Sequence, residues 1–406
     1  MSLLDADTPE GTAYAAWRAA EAVRLLDWAV GSADPRGGFG WRRRDGRLDP
    51  DRGRPLWIGC RMVHCLSLGS MLGRPLDGEA ATVGVQHLRT TYADTAHGGW
   101  LPDADSPLGR KEAYGHAFVV LAASTATVAG LHGGADLLER ALATVLERFW
   151  DDDAGMPVES WAADFTDLED YRGGNAAMHL VEAFLAAADA TGDPGWRDRA
   201  TAVCERMLGA SRELGWRVPE HFDARWRMRA DYTRDDPRHP FRPYGVTPGH
   251  AFEWARLVLT LAACHDVPSW FGAAARELAT TAWHDAWDEQ SSGFVYTTDL
   301  VGTPVVRERF HWVACEALGA FWALARAGAG VVWSERYDVV VEHVRSTLVD
   351  DAVPGAWWHE LDAGNHRVER TWTGAPDGYH ALQAVLLPSY DLAPGLAVAV
   401  REAARP

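Results

Sequence analysis

Thr247-Pro248-Gly249-His250-Ala251-Phe252-Glu253-Trp254-Ala255-Arg256-Leu257 opens a helix on a Pro-Gly turn and sets a histidine at its mouth. Proline is tolerated in a first helical turn, where its missing N–H costs nothing, and the Ala/Leu-rich run behind it favours helix. His250 therefore stands at or near a helix N-terminus. Glu253 follows three residues on, on the same face, where its carboxylate is expected to orient the imidazole. Similar openings recur at Tyr114-Gly115-His116, Asn175-Ala176-Ala177-Met178-His179 and Asp377-Gly378-Tyr379-His380, each leading an apolar run. Histidines placed repeatedly at helix mouths point to one shared site.

Between these openings a second signal repeats. Asp/Gly-rich turns lead into short aromatic segments at Ala33–Trp41, Ala93–Trp100, Trp150–Met156, more weakly at Leu214–Glu220, then at Trp287–Phe294 and Val349–Trp357. The spacing is about 60 residues, enough for two ordinary helices and their loops, with one longer interval between the fourth and fifth turns. Repeated hairpins need neighbours to bury their apolar faces. Six of them predict an all-α, (α/α)₆ barrel, a toroid spanning residues 1–406 as a single catalytic domain. The more apolar helix of each pair, beginning near Trp57, Tyr114, Asn175, Thr247, His311 and Asp377, is expected to be the inner one. Closure is expected to pair the N-terminal helix, Ala13 to Ala29, with the C-terminal one, Pro394 to Ala404. The longer interval carries an Arg-, Asp- and Pro-rich stretch at 221–247, a candidate lid over the site or a plain surface insertion.

Composition narrows the functional classes. Of 406 residues 47% are hydrophobic, enough for a large core, and the net charge of −18 argues against nucleic acid or anionic membrane as partners. No basic-then-apolar leader opens the chain and no run of about 18 apolar residues marks a membrane span. Five scattered cysteines without Cys-x-x-Cys spacing read as buried free thiols in a reducing cytoplasm. The oligomeric state is not set at this level.

If the inner mouths converge, one cavity receives Trp57, Arg61, Tyr114, His116, Asn175, His179, His250, Glu253, Trp312, Glu316, Trp372 and His380. His250 and His380 are the foremost functional candidates, followed by His179 and Arg61. His116 is weaker, and His64 and His311 read as structural. Aromatic planes beside hydrogen-bonding groups suit a sugar, with its apolar C–H face and hydroxyl rim. Histidines can move protons in both directions near neutral pH, and an arginine can hold developing negative charge. That combination suits proton abstraction beside a carbonyl, followed by isomerisation or epimerisation through an enediolate. Phosphate-loop, dinucleotide and nucleophile-elbow motifs are absent. His-x-x-Glu reverses the order used by di-iron bundles, so no metal is expected. Glu253, Glu316 and Asp377 could in principle serve an acid/base glycosidase.

Four stretches, Trp57-Ile58-Gly59-Cys60-Arg61-Met62, Asn175–Ala183, Pro248–Trp254 and Pro376–Gln383, resemble the N-acylglucosamine 2-epimerase superfamily in the family's order. That superfamily includes mannose isomerase, sulfoquinovose isomerase and cellobiose 2-epimerase. The resemblance implies an (α/α)₆ barrel with no metal or redox cofactor and a monosaccharide substrate. It implies His380 as the base at C2, His250 as the partner acid/base for ring opening and proton transfer at O1/O5, and Arg61 as the enediolate-stabilising cation. His179 and Asn175 would contact sugar hydroxyls, Glu253 would sit beside His250, and Trp312 with Glu316 would line the pocket. Trp57 and Tyr114 would be wall positions. The ending Pro376–Ala384 looks most like the mannose-isomerase branch, implying interconversion of D-mannose and D-fructose. A 2-epimerase or a sulfoquinovose isomerase using Arg238 or Arg242 is the alternative within the superfamily. A glycoside hydrolase or a protein-binding module is the alternative outside it.

Overall fold

Six helices with apolar residues on nearly every side cannot lie on a surface, so they form the inside. The computed structural model describes residues 2–106 and 108–405; Met1 and Pro406, the ends of the expected domain, and Pro107 lie outside the described residues. A first helix, α1 (Pro9–Val30), precedes five helical hairpins: α2 (Leu56–Met71) with α3 (Pro75–Thr90), α4 (Ala113–Val128) with α5 (Gly134–Thr144), α6 (Gly174–Thr191) with α7 (Gly195–Glu213), α8 (Pro248–Cys264) with α9 (Phe271–Ala286), and α10 (His311–Arg326) with α11 (Val332–His343). Then come α12 (Tyr379–Leu386) and α13 (Leu396–Ala403).

The even-numbered helices from α2 to α12 touch in sequence and α12 returns to α2, closing the inner ring. In α4 almost every residue from Ala113 to Ala126 is buried. Its partner α5 buries one stripe, Leu137, Leu138, Ala141 and Leu142, and turns Arg and Glu outward. The expected (α/α)₆ barrel is the observed fold.

Closure differs from the expectation. α1 packs on α12, completing the sixth hairpin from the two ends of the chain, while α13 lies across α2, α4 and α6. The physical reason is length. α12 has eight residues, all buried, so it needs the long amphipathic α1 to cover it. α13 buries only Val400 fully and cannot do that work.

Two-residue antiparallel ribbons fix the inner mouths. Lys111–Glu112, just before α4, pairs with Ser160–Trp161; Arg172–Gly173, before α6, pairs with His221–Phe222; Arg309–Phe310, before α10, pairs with Glu360–Leu361. Each ribbon ties the mouth of one unit to the loop of the next. The inner N-termini are thereby held at one end of the barrel.

Candidate active site

That end carries a cavity of about 730 Å³, including its open side. Trp57, Arg61, Tyr114, Asn175, His179, His250, Glu253, Trp312, Trp372 and His380 all line it. Residues from 57 to 380 in the chain therefore meet around one bowl. The N-cap residues of the six inner helices make no side-chain cap, though at α12 Asp377 Oδ1 accepts the Tyr379 N–H at 3.1 Å; the positive dipole ends of the other five face this end of the barrel and favour a developing anion.

Trp312 separates the two foremost histidines. Its ring lies 5.2 Å from that of His250 and 5.8 Å from that of His380. Gly249 makes this packing possible, since a Cβ there would stand 2.4 Å from the indole. His380 Nδ1 bonds Glu316 Oε1 at 2.8 Å, and Arg61 reaches its Nε2 at 3.4 Å. A carboxylate can only accept, so Nδ1 carries the hydrogen and Nε2 is bare of hydrogen on the cavity side, its lone pair accepting the Arg61 N–H. Burial pushes His380 below the ordinary histidine range; Arg61 adds to this and Glu316 opposes it.

Arg61 donates to Asp377 Oδ2 and to the Tyr114 hydroxyl, each at 3.2 Å. Its guanidinium lies 4.6 to 5.0 Å from the ring centres of Phe118, Tyr379 and Trp57. Burial would weaken its charge, but Tyr114, Asp377 and Tyr379 outweigh that and keep it cationic. Burial likewise opposes the charge on Asp377, and Arg61 with His359 and His380 overrides it, so Asp377 stays ionised.

Three expectations are corrected. Glu253 does not orient His250: Nδ1 of His250 bonds Glu220 Oε1 at 2.8 Å, and the same oxygen accepts the Thr247 N–H at 3.2 Å. A first-turn histidine bends outward to the preceding loop, whereas Glu253, one turn deeper, points toward the barrel axis. Glu316 does not line the cavity but stands behind His380, because α12 interposes its histidine. His116 lies outside the bowl, joining Glu112 O at 2.7 Å to the Trp100 N–H at 3.2 Å.

Beneath the bowl is a layer of buried charge. His179 Nδ1 lies 3.5 Å from Glu182 and 3.8 Å from Glu253, close without a closed hydrogen bond. Burial pushes His179 down to about 4. Burial, then the Glu316 and Glu182 charges, pushes Glu253 well above the carboxylate range and holds it as the neutral acid. Among the described residues, His179, Glu182 and Glu253 form the one group with a metal-ligand composition, their atoms within 4.8 Å of one another. Arg256 stands 3.5 Å from Glu253 and 3.7 Å from Glu182, so a guanidinium already takes the cationic place between these carboxylates.

A family model of N-acylglucosamine 2-epimerase matches residues 37–384. The chain belongs to the N-acylglucosamine 2-epimerase family. It is 44% identical over 398 residues to a D-mannose isomerase of Thermobifida fusca, covering 96% of this chain and 97% of that one. It is 42% identical to a D-mannose isomerase of Pseudomonas cannabina pv. alisalensis, covering 96% and 95%. A crystal structure of D-mannose isomerase superposes with a TM-score of 0.86 at 28% identity, covering 92% of this chain and 97% of that one.

This member of the N-acylglucosamine 2-epimerase family also carries site residues that the sequence reading missed. His311, read as structural, lines the cavity and stacks on His359 with ring centres 3.9 Å apart. Tyr296 and Phe241 join the lining, as does Asp377, which the sequence offered only as a glycosidase carboxylate. Glu220 sits in the weakest of the repeated turns, and no local pattern ties it to a histidine 30 residues on. Within 221–247, Pro240, Phe241 and Pro243 line the cavity, and Phe241 packs on Trp372, Tyr114 and Trp57 at 5.6, 6.1 and 6.4 Å. Among the described residues no helix is long and apolar enough to cross a membrane.

Proposed function

We propose that this chain is a sugar isomerase interconverting D-mannose and D-fructose by proton transfer through a cis-enediolate. The observation that carries the reading is the bare Nε2 of His380, backed by Glu316 and flanked by the Arg61 cation, on the wall of a sugar-sized aromatic bowl. Full-length similarity to D-mannose isomerases supports it.

His380 Nε2 takes the C2 proton of the open-chain aldose. The C–H electron pair becomes the C1–C2 double bond, and the aldehyde π pair moves to O1. Arg61 and the inner helix N-termini stabilise the resulting enediolate oxygen. His380 returns the proton at C1 while the O2 proton passes to O1, leaving the ketone at C2. His250, with its Nδ1 on Glu220, exchanges protons at O1 and O5 during ring opening and closure. Asn175 and His179 hold sugar hydroxyls, and Trp57, Tyr114, Trp312 and Trp372 cover the C–H face. Residues 221–247 serve as a cover for the bound sugar, and the compartment is the cytoplasm, in keeping with five unpaired cysteines.

The test is to incubate the protein with D-mannose in deuterated water and follow products by NMR. Fructose with solvent deuterium partly incorporated at C1 is expected. His380→Ala should remain folded and lower turnover by about a hundred- to ten-thousand-fold. Accumulation of glucose without fructose would make the protein a 2-epimerase instead.

A further inference from the structure

Arg256 touches no sugar-facing surface of the bowl, yet three glutamates converge on it. Its Nε and a terminal nitrogen each lie 3.2 Å from Glu316 Oε2, with Glu253 at 3.5 Å and Glu182 at 3.7 Å. The other oxygen of Glu316 holds His380 Nδ1 at 2.8 Å. Gly319 of α10 leaves room for this reach, since a Cβ there would stand 2.9 Å from Arg256 Cδ. Arg256, Glu253 and Glu316 are all at least nine-tenths buried, so bulk water neither screens nor replaces these contacts.

We propose that Arg256 is a positioning residue of the isomerisation: shared among Glu316, Glu182 and Glu253, its guanidinium fixes Glu316 as the anion that accepts the Nδ1 hydrogen of His380, leaving Nε2 bare toward the sugar. This rests on the functional reading above. Without a cation there, Glu316 would share the core with the Glu182 charge alone, and a proton would settle on it. A protonated Glu316 is a poorer acceptor for Nδ1–H and a poorer support for the imidazolium that forms at C2 proton removal. The groups facing this layer and His380 are Arg61 and His64 from α2, His179 and Glu182 from α6, Glu253 from α8, His311 and Glu316 from α10, His359 and Asp377 from the segment before α12, and Tyr379, His380 and Gln383 from α12. Tyr379 and Gln383 both donate to Glu182, which leaves the arginine as the cation nearest Glu316. Removing its positive charge raises the proton affinity of Glu316 and of His380 alike, so the acid limb of kcat must move to higher pH.

The experiment measures mannose-to-fructose kcat and KM against pH for wild type, Arg256→Met and Arg256→Lys. Arg256→Met should lower kcat by about tenfold or more, change KM by less than about threefold, and move the acid limb upward. Arg256→Lys keeps the charge and should leave the limb in place. A folded Arg256→Met with wild-type kcat and an unmoved limb overturns the inference. Should that variant not fold, the pair Glu182→Gln/Arg256→Met removes one buried charge of each sign, and wild-type kcat in it is equally fatal. Wild-type protein that does not turn over mannose refutes the functional reading itself; wild-type turnover with Arg256→Met unaffected refutes only the role of Arg256.

Discussion

The side chains of Glu316 and His380 meet at 2.8 Å from helices 64 residues apart in the chain. The carboxylate is buried and would be neutral by burial alone, but Arg256 and then His380 keep it ionised. An ionised acceptor on Nδ1 fixes one tautomer of the ring and stabilises its protonated form, as a base at a carbon acid requires.

Glu316→Gln keeps the shape and a weaker acceptor while deleting the charge. Turnover of mannose should fall by at least about tenfold with KM nearly retained. Steady-state kinetics with a thermal melt as the folding control measure this. Equal kcat for the variant and the wild type would remove the pair from the mechanism.

Glu220 stands to His250 as Glu316 does to His380. Glu220→Gln should slow the step that depends on ring opening more than exchange at C2. Turnover of the ring-closed sugar is therefore expected to drop by about tenfold while C2 exchange on open-chain substrate drops less. Parallel losses in both would assign the two histidines one shared step.

Phe241 closes the bowl against Trp57, Tyr114 and Trp372 and is itself 43% exposed. Phe241→Ala removes a wall and an aromatic contact worth about 0.5–1.5 kcal/mol beyond its area. KM for mannose should rise severalfold, with kcat less affected. An unchanged KM would make 221–247 an insertion without a part in binding.

Five buried histidines, His64, His116, His179, His343 and His359, are each pushed down to about 4, chiefly by burial. Unfolded histidine takes up a proton near 6.5, so the unfolded chain binds more protons than the folded one as pH falls. The stability due to these neutral rings is fully present above about 6.5 and is lost between there and about 4. The melting temperature should fall steeply over that window by scanning calorimetry. A flat profile from pH 7 to 5 would contradict the burial assigned to these rings.

Much of this was legible along the chain because it is local. Hairpin length, the apolar character of the inner helices and the Pro-Gly and Gly-Tyr openings before His250 and His380 are set by residues within a turn or two of one another. From them followed the sixfold ring and many of the side chains at its mouth, though not His311, Tyr296 or Phe241, and with His116 and Glu316 wrongly included. Local periodicity could not say which carboxylate serves which histidine. Glu253 is three residues from His250 and shares its helical face, yet Glu220 in the preceding loop holds the ring. Nor could it say that α1 covers α12 while α13 crosses the far end, or that His311 reaches the bowl. These depend on how the closed ring brings distant backbones together, and in a packed, low-dielectric interior a contact of 3 Å outweighs any preference written into neighbouring sequence.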